Sequence, residues 1–117
     1  MIALIHREPE REWTVASLAA EVAMSPPAFA ARFRKLLGES AMSYVTRWRM
    51  LVADAALRSE GANVAELAAR LGYRSEAAFA RAFKRVIGSP PGAVKHEAER
   101  LRRRRLKPAD FLGVNRT

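Results

Sequence analysis

Apolar residues recur along this chain at helical spacing, in short runs divided by turn signals, so every element the pattern predicts is a helix. Ile2, Leu4 and Ile5 form a first stub that Pro9 and the charges around it bring to an end. A firmer start comes at Thr14, whose hydroxyl can accept from an unpaired N–H of the first turn. Trp13 and Leu18 flank it in the positions of a hydrophobic staple, and the helix is expected over 15–22. After the turn Ala-Met-Ser, Ser25 is the next cap, and Pro26 follows at the first helical position, where its missing N–H costs nothing. That helix is expected to carry Phe29, Phe33 and Leu36 inward and to stop at Gly38.

Beyond Gly38 the period lengthens into a strut. Ser40 caps it, and Val45, Trp48, Val52 and Ala55 recur at helical spacing to about Ser59, with Tyr44 and Leu51 on an adjoining face. A helix apolar on two sides suits a rod gripped by a lobe at each end. Asn63 and Glu66 then resemble a capping box and open Val-Ala-Glu-Leu-Ala-Ala-Arg-Leu-Gly. Ser75 caps a helix that ends at Gly88, and Ser-Pro-Pro restarts a short one after it.

Sliding the chain by fifty residues lays Ser75 to Gly88 over Ser25 to Gly38. Phe79 meets Phe29, Phe83 meets Phe33, and Lys84-Arg85 meets Arg34-Lys35. The preceding helix repeats at a shift of 49, Leu67 over Leu18 and Ala68-Ala69 over Ala19-Ala20, which puts one inserted residue in the second turn. Insertions fall in turns, so the repeat is structural. Each unit is two helices joined by a turn of three to four residues, with Gly72 available for a strained backbone position in the second copy, which is a helix-turn-helix signal.

Charge changes the picture by pointing to a partner. The 117 residues carry a formal +9, which favours a polyanion, though a membrane surface would also attract it. The excess is uneven: residues 1–94 hold 13 Lys/Arg against 9 Asp/Glu, and residues 95–117 hold 8 against 3. The run Arg-Leu-Arg-Arg-Arg-Arg-Leu-Lys is a phosphate-gripping arm, an extension of the last helix, or a disordered solubilising tail. With no cysteine there is no disulfide framework and no thiolate metal site, and no apolar run approaches the ~20 residues of a membrane span. A cytoplasmic chain at the nucleoid is the expectation. His6 and His96 stand apart from any paired carboxylate, so neither an enzyme nor a cofactor or small-molecule ligand is expected. Met24, Met42 and Met50 read as core filler.

Turning about 100° per residue from Phe29, positions 27, 31, 34 and 35 point away from the core, and in the second copy Ala77, Arg81, Lys84 and Arg85 do so. Small residues near a helix N-terminus let it sit deep in a major groove, Arg can pair with both guanine acceptors, and basic residues one turn later meet phosphates. The first copy offers Pro27, Ala31, Arg34 and Lys35 at those places, and alanine has no hydrogen bond to give.

The stretch from Trp13 to Lys95, and above all its second half with the pattern AxxxGYxSxxxFxRxFKRxxGxxP, resembles the DNA-binding domain of the AraC/XylS family of bacterial transcription regulators. The resemblance implies an all-α fold of about seven helices: a first lobe over 1–40, a linker helix over 41–59, a second lobe over 60–99 and a basic tail over 100–117. It implies recognition helices over 26–37 and 75–87 in successive major-groove segments of double-stranded DNA, and a regulator, expected to be an activator, with RNA polymerase as a further candidate partner. Carried over by position, Arg81 is the foremost base reader, with Glu76, Ala77 and Ala80 beside it. In the first lobe the family's polar readers fall on Pro27, Ala30 and Ala31, a departure that Arg32 is placed to offset. Phosphate contacts are expected from Ser25, Arg34, Lys35, Ser75, Lys84 and Arg85, and from Arg47 and Arg49 on the strut. This family usually carries a separate effector-binding or dimerising domain, and without one the chain is expected to be a monomer on an asymmetric site. The alternative is an interaction module, or a fragment of a larger regulator, that binds DNA without selecting sequence.

Overall fold

The computed structural model describes residues 2–105. Among these the chain forms seven helices and no strand: α1 (Ile2–Arg7), α2 (Val15–Glu21), α3 (Pro26–Leu37), α4 (Ala41–Ser59), α5 (Val64–Arg70), α6 (Glu76–Ile87) and α7 (Pro91–Arg105). Their starts are set by side-chain caps. Thr14, Ser25, Ser40, Asn63 and Ser75 each accept from the backbone N–H three residues on, which satisfies one of the donors a helix start leaves orphaned. At Thr14 the cap is reciprocal, because Ser17 Oγ also accepts from the Thr14 N–H at 2.9 Å. The recognition-length helices α3 and α6 stop at Gly38 and Gly88, with φ of 79° and 100°, a left-handed conformation that glycine adopts without steric cost.

Two hydrophobic cores lie along the chain, and α4 enters both. Ile5, Trp13, Leu18, Ala19, Phe29, Phe33, Ala41 and Val45 form the first. Met50, Ala53, Ala56, Leu57, Leu67, Ala68, Leu71, Phe79, Ala82, Phe83 and Val94 form the second. Phe79 and Phe83 are wholly buried, each contributing about 1.5–3 kcal/mol of transfer free energy. The expected doubling is therefore literal: α2–α3 and α5–α6 are the same hairpin packed on opposite ends of one strut. The 19 residues of α4 extend about 28 Å at 1.5 Å per residue.

The two hairpin turns differ where the inserted residue falls. Gly72 takes φ 89°, as its position suggests, while the equivalent place in the first turn is held by Ala23 at φ 55°, the one non-glycine residue with positive φ among those described. A Cβ in that region costs roughly 1–2 kcal/mol, which the flanking backbone bonds from Ala23 N–H to Ala20 and Met24 N–H to Ala19 offset.

Two expectations are corrected here. Leu36 does not turn inward but is 67% exposed. The equivalent Val86 of α6 packs on the second core, whereas Leu36 lines an open apolar pocket with Ile2 of α1, Met24 and Phe33. The helix after Gly88 is not short either: α7 runs for 15 residues to Arg105. After Gly92 it meets no breaker, and its Arg, Leu, Ala, Glu and Lys are strong helix formers. The arginines at 100 and 102–105 are thus helical, with Arg102 donating to the Arg58 carbonyl at 3.2 Å at the end of α4. The remainder of the expected tail, 106–117, lies outside the described residues.

Candidate nucleic-acid interface

The aromatic pairs that seat α3 and α6 also decide what those helices present to solvent. Phe29 and Phe33 pack with tilted rings 5.8 Å apart and Phe79 and Phe83 with tilted rings 5.7 Å apart, locking one face of each helix onto its core. On the opposite faces Pro27, Ala31, Arg34 and Lys35, and Ala77, Arg81, Lys84 and Arg85, are exposed, as are Arg32 and Glu76 nearer the core-facing sides. Ala30 and Ala80 sit at the border, half-buried. Ser25 and Ser75 spend a lone pair on the caps, at 3.3 Å to the Ala28 N–H and 3.0 Å to the Ala78 N–H, and keep a hydroxyl hydrogen to donate.

Charge pairing divides the surface: like Lys95 and the arginines at 102–105 of α7, the cations of these two helices have no carboxylate within ion-pair distance among the described residues. Arg11, Arg47, Arg58, Arg70 and Arg100 are each within ion-pair distance of a carboxylate. Among the described residues no such partner lies at Arg32, Arg34, Lys35, Arg81, Lys84 or Arg85. The two repeated helices thus carry six exposed cations with no carboxylate partner among the described residues, a surface that favours an anion.

The strut arginines both make contacts within the chain. Arg49 does not face solvent: Nε donates to the Pro9 carbonyl at 2.7 Å and a terminal nitrogen donates to the Arg11 carbonyl at 2.6 Å. Burial lowers its pKa from the usual arginine value, with the charges of Tyr73 and Glu12 opposing. The guanidinium thereby holds the α1–α2 loop to α4. Arg47 is exposed but bonded to Glu39 at 2.7 Å and lies over the Tyr44 ring at 5.2 Å. The bond to Glu39 is the largest cause of its raised pKa.

His6 is not isolated in space. It stacks on Trp48 at 3.9 Å, and its Nε2 lies 2.7 Å from the Tyr44 hydroxyl, a contact 38 residues apart that no local pattern signals. Arg74, exposed in the turn just before Ser75, also escaped the helical-wheel argument, since it precedes the helix; its place beside the cap was the available signal. No helix of the described residues is long and apolar enough to cross a membrane.

Comparison with known proteins bears on the same two hairpins. A family model described as a helix-turn-helix domain matches residues 18–97. The DNA-binding domain of AdpA, a global transcriptional factor solved in complex with a target DNA, superposes with a TM-score of 0.77 at 34% identity, over 87% of this chain and 91% of that one. The chain belongs to the AraC-type helix-turn-helix family. A putative AraC-like transcription regulator of Streptomyces lividans is 48% identical over 88 residues, which are 75% of this chain and 29% of the relative. The transcriptional regulator AlkR of Acinetobacter baylyi is 38% identical over 90 residues, 77% of this chain and 29% of the relative. The chain thus spans under a third of the length of these curated relatives.

Proposed function

We propose that this chain is the sequence-reading DNA-binding module of a transcription regulator, with α3 and α6 entering successive major-groove segments on one side of a duplex. The observation that carries this reading is the set of six uncompensated cations on the two repeated helices. The ~28 Å strut is comparable with the ~34 Å of one duplex turn, so two helices held by it reach neighbouring groove segments. The likeness to a domain solved on its target DNA supports the same partner.

The readers are unequal in this scheme. Arg81, with Glu76, Ala77 and Ala80 beside it, supplies hydrogen-bonded base recognition. Pro27, Ala30 and Ala31 supply close approach and apolar contact with thymine methyls, with Arg32 next to them. Arg34, Lys35, Lys84, Arg85, Ser25 and Ser75 hold phosphates. Because the lobes differ and lie in tandem, the site is asymmetric, and the module binds as a monomer in the cytoplasm and contacts RNA polymerase as an activator. Enrichment from a randomised duplex library tests the reading: recovery of one asymmetric motif spanning two groove segments is expected, and salt-dependent binding with no selected motif would replace it with a non-specific module.

A further inference from the structure

The start of the strut meets a helix of the second lobe. A cleft of about 520 Å³ opens between the first turns of α4 and the last turn of α6, lined by Met42, Ser43, Thr46, Arg47, Arg85 and Val86. Two guanidinium groups and two hydroxyls around one cleft are the donor set for a phosphate. Two helices in successive major grooves on one face are separated by a minor groove, and the strand bordering it passes between their basic ends. The cleft adjoins the basic end of α6, which contributes Arg85 to it.

One of the two cations is not free. Glu39 accepts from Arg47 at 2.7 Å and, through its second oxygen, from Ser43 Oγ at 3.5 Å. A carboxylate offers the Arg fork the same two-oxygen face that a phosphate does. The repeat makes this carboxylate specific to the first lobe, since the residue fifty positions on, also following the helix-ending glycine, is Ser89. Arg85, across the cleft, has no carboxylate partner among the described residues.

Resting on the DNA-binding reading above, we propose that the interlobe cleft seats a backbone phosphate between the two groove segments, and that Glu39 is a tethered competitor that must release Arg47 before the phosphate is taken. The consequence is thermodynamic. When Arg47 exchanges Glu39 for a phosphate, the counterion released from DNA is balanced by the cation the freed carboxylate gathers, so this contact adds little to the salt dependence. With Glu39 neutral, the same contact releases a counterion without that offset.

Glu39→Gln keeps the shape and one accepting oxygen while removing the charge. In binding titrations of the whole chain on a duplex over a range of salt, this variant is expected to bind about three- to tenfold tighter at low salt, on cognate and random duplexes alike. Its log K against log salt is expected to be steeper by about 0.9, the value of one phosphate contact. Arg47→Ala is expected to bind several-fold more weakly, and Glu39→Gln placed on Arg47→Ala to gain nothing. Equal affinity and slope for the native chain and Glu39→Gln, or a gain that survives the loss of Arg47, overturns the competitor role while leaving the DNA-binding reading intact. Failure of the native chain to bind any duplex removes both, and matching thermal melts for the variants assign the differences to the cleft and not to folding.

Discussion

Arg49 and Pro9 are 40 residues apart in the chain, yet the guanidinium donates to that proline's carbonyl at 2.7 Å, and to the Arg11 carbonyl at 2.6 Å. The bond fixes the α1–α2 loop on the middle of α4, and the loop reaches on to the second lobe, where Glu10 pairs with Arg70 at 3.1 Å. Both ends of that ion pair are about half-exposed, so it adds ~0–1 kcal/mol. The Arg49 bonds are the stronger tie.

Arg49→Ala is therefore expected to cost about 2 kcal/mol of folding stability, the range for hydrogen bonds to a charged group, seen as a drop of several degrees in melting temperature. Arg49→Lys restores only part of it, since an ammonium lacks the fork that spans two carbonyls. DNA affinity measured below the melting transition should change little. A large loss of affinity in a fully folded variant would place this residue among the phosphate contacts.

Arg81 and Lys84 occupy the same exposed face of α6, one turn apart. Arg81→Ala is expected to cost about 1–3 kcal/mol at the cognate site and to relax preference at one base pair, while Lys84→Ala weakens all duplexes about equally and lowers the salt slope by about one. Parallel titrations on cognate and random duplexes separate the two, and equal losses from Arg81→Ala on both would show that it holds the backbone.

Ala31 stands where Arg81 stands in the second copy, exposed and without a donor. Ala31→Arg is expected to change the preferred base at one position of the first half of the site, read out by repeating the duplex enrichment. An unaltered motif would show that α3 does not approach the bases at that point.

Tyr73 packs edge-on against Phe79 at 5.6 Å, and burial raises its pKa from the usual 10.0, with the Arg49 and Arg85 charges pulling the other way. The folded state thus holds this proton more tightly than the unfolded one. The resulting stability is present below about pH 10 and is lost as pH rises through the higher folded value. Between about pH 9 and 11 the native chain is expected to lose melting temperature more steeply than Tyr73→Phe, and parallel curves would remove the effect.

The helices and their caps were legible because their signals are local. Ser25, Ser40, Asn63 and Ser75 cap as read, the Phe ladders face inward, Gly72 takes its left-handed turn, and Met50 fills the second core while Met24 and Met42 line the first. What escaped depends on which element covers which. Leu36 lies on the same helical stripe as Phe29 and Phe33, yet it lines an open pocket instead of the core. Arg49 looks like any solvated arginine on a strut until the α1–α2 loop folds over it. His6 has no chemistry nearby in sequence and an aromatic pair nearby in space. The outward faces of α3 and α6 followed from the position of their phenylalanines, but the pairing of Arg47 with Glu39 depended on where the chain turns after Gly38.

One helix serving two cores has a consequence for phase. Val45 points into the first core and Met50, five residues later, into the second, a separation of about 500° of rotation that leaves the two faces ~140° apart. The azimuth of one reader about the duplex relative to the other is thus written into a residue count. Adding a single residue between those positions would swing the second lobe by about 100° and advance it only ~1.5 Å, enough to take α6 off the groove while leaving each lobe internally unchanged. The length of α4 between Val45 and Met50 is therefore fixed by the relation of the two lobes.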